Sequence, residues 1–392
     1  MVRLQGRAGT YTTQSGGYSS FVPKPLPPVP PIEIDDGMLT LLSNADRNLG
    51  RLDGATETLP NPDLFVFMYV RKEAVLSSQI EGTQSSLIDF LEFEAGAQRR
   101  GLPRDVAEVS NYVDAMNFGL EQIKKGKNLS LALIRQIHSR LLRGVRGGEH
   151  RPGEFRHVQN WIGPPGSSPR NAVFIPPAVP VMQDALAHLE AFLLSKIHMP
   201  PLIKVGLAHA QFETIHPFLD GNGRMGRLLI TFLLTMEDFL SRPLLYLSYY
   251  FRQNRTSYYE KLQSVRDDGD WEAWMKFFLR GVYEVSDQAT KTARKIVRLR
   301  EEHRGSVQKT LGSSAGKALV VLEHLYQRPM VMVRDVREVT GLSAPSANSL
   351  VTKLEGAGIL TETTGQARYR VFAYQPYLDI LLDGEKGRRS AG

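Results

Sequence analysis

Apolar residues recur three and four positions apart over most of the middle of this chain, the period of a helix that buries one face. The spacing predicts helices in VAEVSNYVDAMNFGLEQI, SLALIRQIHSRLL, VMQDALAHLEAFLL, LIKVGLAHAQFETI and MGRLLITFLLTMEDF, so residues 103–285 read as a nearly all-helical core. Upstream, a short helix is expected from Gly37 to about Gly54. After a turn at Asn61–Asp63, the run LFVFMYVRKEAVLSSQIEG is apolar at helical spacing and stops at Gly82, a residue suited to the position just past a helix end. Another helix is expected near Ser86–Ala95. One stretch breaks the period: GEFRHVQNWIGPPGSSPRNAVFIPP, residues 153–177, alternates short β-type pieces around Pro and Gly and reads as a hairpin or flap among helices.

The ends of the chain are patterned differently. Residues 1–60 open with a Gly-, Ser- and Pro-rich arm over 1–36, a composition that buries little and predicts a strap over the surface, followed by the short helix. Residues 61–102 hold the Gly82-terminated helix and its successor. Residues 286–312 form a linker helix in which KTARKIVRLREEHR sets Lys291, Arg294, Lys295 and Arg298 at helical spacing, a solvated basic face or a seat for an acidic partner. In 313–383 a helix (AGKALVVLEHL), a second ending at Gly341, a third with Ser343 as N-cap and two strands around Gly365 follow the order of a winged helix-turn-helix. Residues 384–392 read as a disordered tail. The fold expected is mainly α: a helical bundle with a small β-hairpin flap, plus a C-terminal winged helix-turn-helix domain.

Composition narrows the chemistry. The 392 residues contain no Cys, which excludes disulfides, thiolate zinc sites and cysteine nucleophiles and fits a reducing cytoplasm. Hydrophobic residues make up 42% and charged residues 23%, ordinary for a soluble globular protein, and no apolar run reaches membrane length. Net charge is +7, compatible with solubility or with attraction to polyphosphates or nucleic acid.

The chemistry concentrates in HPFLDGNGRMGR, residues 216–227. Pro217 stops the helix before it, and an apolar helix starts after Gly223, so DGNG is a loop at a helix N-terminus, where free backbone N–H groups bind anions. Gly221 and Gly223 allow close approach of the backbone to a ligand. Arg224 and Arg227, at i and i+3, suit a polyphosphate. Asp220 would repel phosphate unless it holds Mg²⁺ that bridges phosphate oxygens. His216 is the group nearby that takes a proton near neutral pH. Singly, each residue has an ordinary reading as turn, cap, solvated arginine or core histidine; together they fall within twelve positions.

This segment resembles the Fic family signature, His-x-Phe-x-Asp/Glu-Gly-Asn-Gly-Arg-x-x-Arg, at His216, Phe218, Asp220, Gly221, Asn222, Gly223, Arg224 and Arg227, and the similarity extends over roughly residues 60–285. The resemblance implies transfer of AMP from ATP to a Ser, Thr or Tyr hydroxyl of a target protein, with self-modification and a homodimer among its known variations. It implies His216 as base, Phe218 as apolar anchor, Asp220 as Mg²⁺ ligand, the N–H groups of Gly221, Asn222 and Gly223 as anion hole, Arg224 on the phosphate chain and Arg227 on the γ-phosphate. It sets Asn254 near the adenine, against the equal claim of a helix-capping role, and the flap around Asn160–Pro176 along the target main chain. Ser77 to Gly82 fits the family's inhibitory pattern, with Ser77 and Glu81 on one helix face, and implies that Glu81 pairs with Arg227 in place of the γ-phosphate. Some relatives use this glutamate to remove AMP instead, and others move UMP, phosphate or phosphocholine but depart from the signature at Asp220, Gly223 or Arg227. The competing class is a DNA-binding regulator. Residues 313–383 hold seven Lys and Arg against seven Asp and Glu, which favours protein interaction over DNA for that unit.

Overall fold

The computed structural model describes residues 6–57, 62–96, 103 and 105–386. After a hairpin of β1 (Gly9–Thr13) and β2 (Ser19–Pro23), helices follow one another: α1 (Asp36–Glu57), α2 (Pro62–Ile80), α3 (Leu87–Glu94), α4 (Val106–Lys124), α5 (Leu131–Leu141), α6 (Val179–Leu194), α7 (Pro201–Ile215), α8 (Asn222–Met236), α9 (Ser248–Gln253), α10 (Arg255–Asp268) and α11 (Trp271–Thr310). A second group holds α12 (Ala315–Gln327), β3 (Met330–Met332), α13 (Val333–Thr340), α14 (Ala344–Gly356), β4 (Thr361–Glu362), β5 (Val371–Ala373) and α15 (Gln375–Lys386). Its strands form an antiparallel sheet in the order β3-β5-β4. Caps mark the boundaries that local chemistry dictates: Ser86 and Asp89 make a reciprocal capping box on α3, and Ser343 caps α14 as the sequence predicts. Among the described residues no helix is long and apolar enough to cross a membrane.

Several elements differ from expectation. The N-terminal arm is a β-hairpin that does enter the core: Phe21 is fully buried and Arg7 donates from Nη1 to both carboxylate oxygens of Glu272 in α11. One buried Phe contributes about 1.5–3 kcal/mol, enough to seat a short hairpin that composition alone marks as a strap. The flap closes through a single antiparallel bridge, Ile162 to Phe174, because the prolines between and after these residues lack the N–H groups that would extend a ladder. The short helix over 37–54 is the 22-residue α1, laid along α11. The linker expected over 286–312 is the second half of α11, a continuous 40-residue helix started by Asp270, whose side chain accepts from Ala273 N–H. Sequence also gave no sign of α15, which carries the chain past 383 to Lys386. The rest of the expected tail, the arm's first five residues and Asn61 lie outside the described residues, whereas Pro62 and Asp63, expected in the turn, are the first residues of α2.

The packing of α2 positions the site. Residues 68–78 of this helix are buried on every side, including Arg71, Lys72, Glu73, Ser77 and Ser78. Most of these groups find partners on other elements, although Ser78 Oγ has none among the described residues. Arg71 grips Glu94 of α3, the Lys72 ammonium donates to the Leu381 carbonyl of α15 at 2.7 Å, and Glu73 accepts from Ser248 and Tyr112. Burial pushes the Glu73 carboxyl up to about 7. The basic face of α11 meets acidic partners inside the chain: Lys291 pairs with Asp287, Lys295 with Asp383, and Arg300 and Arg304 with Glu323 of α12.

Candidate active site

The loop between α7 and α8 is fixed by its own short-range bonds. His216 closes α7 in the left-handed region (φ 48°), and Gly221 precedes α8 in the same region (φ 76°). Between them the Asn222 amide clamps Phe218 from both sides: its Oδ1 accepts from the Phe218 N–H at 2.8 Å and its Nδ2 donates to the Phe218 carbonyl at 2.7 Å. Asn222, read from sequence as part of an anion hole through its N–H, thus also braces the loop through its side chain. The Asp220 carboxylate accepts from the Gly221 N–H, and Gly147 stands so close that a Cβ there would lie 2.4 Å from Asp220 Oδ2. Among the described residues no group of three or more His, Asp or Glu is gathered as a metal cage, so a cation at Asp220 would take most of its ligands from substrate and water.

Phe218 is fully buried and stacks on His138 of α5, ring centroids 3.6 Å apart and 4° from parallel, with Phe155 and Phe212 around it. His138 is a structural member that sequence reading passed over. The Gly153 N–H donates to its Nδ1, so its Nε2 carries the proton and donates to the Asp220 carbonyl at 2.9 Å. Burial pushes its pKa down to about 4, which keeps it neutral in this role. A lone histidine among the apolar positions Leu133, Ile134, Ile137 and Leu141 was the available signal.

The two arginines point to different partners. Arg224, 1% exposed, donates from Nη1 to Glu108 of α4 at 3.0 Å and reaches Asp220 at 3.5 Å. Glu108 also escaped sequence reading, although a carboxylate within a helix otherwise buried through Val106, Val109 and Tyr112 is unusual. Arg227 turns to α2: Nε donates to Ser77 Oγ at 2.8 Å, and Nη2 to the Ser77 carbonyl at 3.0 Å and to Glu81 Oε1 at 2.6 Å. The Glu81 side chain keeps 32% of its surface exposed. Burial would raise its pKa, but the Arg227 guanidinium holds it below the usual carboxylate range. Burial likewise opposes the charge on Arg227, and Glu81 more than offsets this, so the cation is held firmly. A Cβ at Gly223 would fall 2.1 Å from Glu81 Oε1, so this glycine makes room for the carboxylate as well as for a ligand. Gly82 ends the helix behind it in a positive-φ conformation, φ 95°.

The catalytic candidate His216 is half-buried, with its Nδ1 inside, and desolvation followed by the charges of Arg266 and Arg156 pushes its pKa down to about 3. Its carbonyl accepts from Arg156 Nε and from Asn160 Nδ2, and Asn160 also donates to the Phe218 carbonyl, so the start of the flap is tied to the loop. Four buried polar atoms around the loop lack partners: His216 Nδ1, Asn160 Oδ1, Glu213 Oε1 and Arg224 Nε. Unpaired buried groups are costly, and four around one loop mark a site shaped for something else. Asn254 stands between α9 and α10, and its amide donates back to the Tyr250 carbonyl of α9 at 3.0 Å.

Comparison with known proteins gives the same outline. Residues 39–121 match the model described as Fic/DOC family N-terminal, and residues 128–234 match that of the Fic/DOC family. A protein named protein adenylyltransferase Fic from Aedes aegypti is 32% identical over 157 residues, covering 40% of this chain and 28% of that protein. The protein of the same name from Culex quinquefasciatus is 31% identical with the same coverage. The match thus spans less than a third of these relatives' own length. A Fic family protein from Desulfovibrio desulfuricans G20 shares the fold at a TM-score of 0.58 and 20% identity, over 88% of this chain and 97% of that one.

Proposed function

This chain belongs to the Fic/DOC family, and on that premise we propose that it transfers AMP from ATP to a Ser, Thr or Tyr hydroxyl of a target protein and rests with Glu81 on Arg227. One observation carries the reading: a neutral, half-buried imidazole, one half-buried carboxylate, the N-terminus of α8 and two buried arginines converge on a single loop. His216 removes the hydroxyl proton, the oxygen attacks the α-phosphorus, and the bond from that phosphorus to the bridging oxygen breaks, releasing pyrophosphate. The N–H groups of Gly221, Asn222 and Gly223 stabilise the negative charge that builds on the phosphate oxygens. Arg224 steers the phosphate chain and Arg227 takes the γ-phosphate once Glu81 has left it. Asp220, a lone carboxylate beside these donors, would hold Mg²⁺, which when bound neutralises charge between the phosphates.

Isotopic position tests the reaction type. ATP labelled at the α-phosphate is expected to label protein in the presence of Mg²⁺, and ATP labelled at the γ-phosphate is not. Transfer from the γ-position, or better transfer from UTP or CDP-choline, would overturn the assignment.

The C-terminal group is assigned a partner-binding role, protein ahead of DNA. Its helix–helix–helix–ribbon order is that of a winged helix, yet α14 carries only Lys353 and Glu355 as charged residues. In a gel shift, the full chain is expected to leave duplex DNA unretarded at low salt. Retardation that fades steeply with salt would make this unit a DNA reader instead.

A further inference from the structure

Arg266 is a buried cation that the roles assigned so far do not use. It lies in the last turn of α10 with 6% of its surface exposed. Among the described residues no carboxylate forms a salt bridge with it, although buried arginines are ordinarily paired. Its guanidinium is spent on two other elements. Nε donates to Thr214 Oγ1 at 3.2 Å and Nη2 to the Glu213 carbonyl at 3.3 Å, both in the final turn of α7 just before His216. Its planar face lies 3.9 Å from the ring centroid of Phe174, the flap residue that forms the bridge with Ile162. The remaining nitrogen, Nη1, donates to Gln263 one turn earlier on α10, which fixes the side chain from behind. Burial lowers the pKa of Arg266 to about 10, which leaves it charged at neutral pH.

At its base the flap is tied by Arg156, which donates to the Val158, Pro177 and His216 carbonyls, and by Gln159, whose Nε2 donates to the Pro176 carbonyl. One bridge closes it, and Pro164, Pro165, Pro169, Pro176 and Pro177 deny it further main-chain pairing. At its other face Phe174 meets Phe21 of the N-terminal hairpin, whose N–H donates to the Ile175 carbonyl. The stacked guanidinium of Arg266 therefore adds a contact at Phe174, beside the bridge, that the bonds at the flap's base do not supply.

We propose that Arg266 is a positioning residue for the transfer reaction, fixing the flap over the end of α7 that carries His216. This rests on the AMP-transfer reading, in which the target side chain lies between the flap and His216. A flap that drifts lets the hydroxyl drift from both the imidazole and the α-phosphorus, and small misplacements of this kind are costly in rate. The same guanidinium also bears on the imidazole. The charged and titratable groups facing His216 are Arg266 from α10, Arg156 from the flap, Glu213 from its own helix and Glu81 from α2. The two cations favour the neutral ring, while a backbone hydrogen bond to Glu213 and the Glu81 carboxyl favour the charged one.

The test compares Arg266→Met and Arg266→Lys in the full-length Glu81→Gly chain. Met keeps the length of the side chain and removes its charge; Lys keeps the charge and loses the planar stack. Hydrogen exchange of the Ile162 and Phe174 amides is expected to quicken about tenfold in both variants relative to the parent. Self-labelling by α-labelled ATP is expected to show, in the Met variant alone, an acidic limb moved to higher pH: without the cation the imidazole is more easily protonated, and a protonated base is inactive. Unchanged flap exchange in the Met variant, or a faster flap with no loss of labelling in an active parent, would overturn the proposal. If the Glu81→Gly parent transfers no AMP, the reading of the site fails, and the exchange measurement still decides what Arg266 holds.

Discussion

Replacing Glu81 by glycine is expected to raise AMP transfer, seen as self-labelling or target labelling, on the order of 5- to 150-fold, the range of a coupling of 1–3 kcal/mol. The physical cause is competition for one guanidinium. Arg227 presents Nη2 to Glu81 at 2.6 Å, and a γ-phosphate can be gripped there only after the carboxylate leaves. The substitution should not collapse the site, because Arg227 keeps both of its bonds to Ser77 and remains anchored on α2. It does remove the anion that balances a buried cation, so the free variant is expected to melt at a lower temperature than the wild type. Saturating ATP is expected to restore more stability to the variant than to the wild type, since tighter binding to the folded state stabilises it further. Equal labelling by the two proteins, with equal stabilisation by ATP, would remove Glu81 from any inhibitory role.

The second large effect concerns His216. In the Glu81→Gly chain, His216→Ala is expected to lower AMP transfer by about 10²- to 10⁴-fold, the usual contribution of a positioned base, with ATP affinity unchanged. The chain should stay folded. The bonds that hold this position use the His216 carbonyl, which accepts from Arg156 and Asn160 whatever the side chain is. The left-handed conformation found here (φ 48°) costs any residue with a Cβ about 1 kcal/mol, a strain that histidine already bears and alanine keeps. The pH profile gives a separate check. The pKa of His216 is depressed to about 3, so the base is already neutral at pH 5 and its loss by protonation comes only as pH falls toward that value. An acidic limb near pH 6.5 that vanishes with His216→Ala would mean that the site opens to water when it works.

These two expectations show where sequence sufficed. The signature loop was legible because it is held together over short distances: Asn222 braces Phe218 four residues away, and the flanking helices declare themselves by period and by Pro217. Glu81 and Arg227 are 146 positions apart, and only the recurrence of a motif upstream linked them. No comparable motif announced Glu108 under Arg224, His138 under Phe218 or Arg266 under the flap. Each is a common residue type on an ordinary helix, and its meaning comes from the neighbour that folding brings to it.

Sequence by itself determined the helical body, the loop and its chemistry, since periodicity, capping and backbone freedom act within a few residues of one another. Tertiary structure alone decided that the N-terminal hairpin enters the core through Phe21, that α11 runs unbroken beneath both groups of helices, and that α2 is buried on every side. It also decided the partners of the buried charges: Arg227 shared between Ser77 and Glu81, Lys72 on Leu381, and Arg266 between the end of α7 and the flap. The reason is the cost of burial. A charge taken from water must find a partner nearby in space, and which residues are nearby depends on how the helices pack, which no local pattern records.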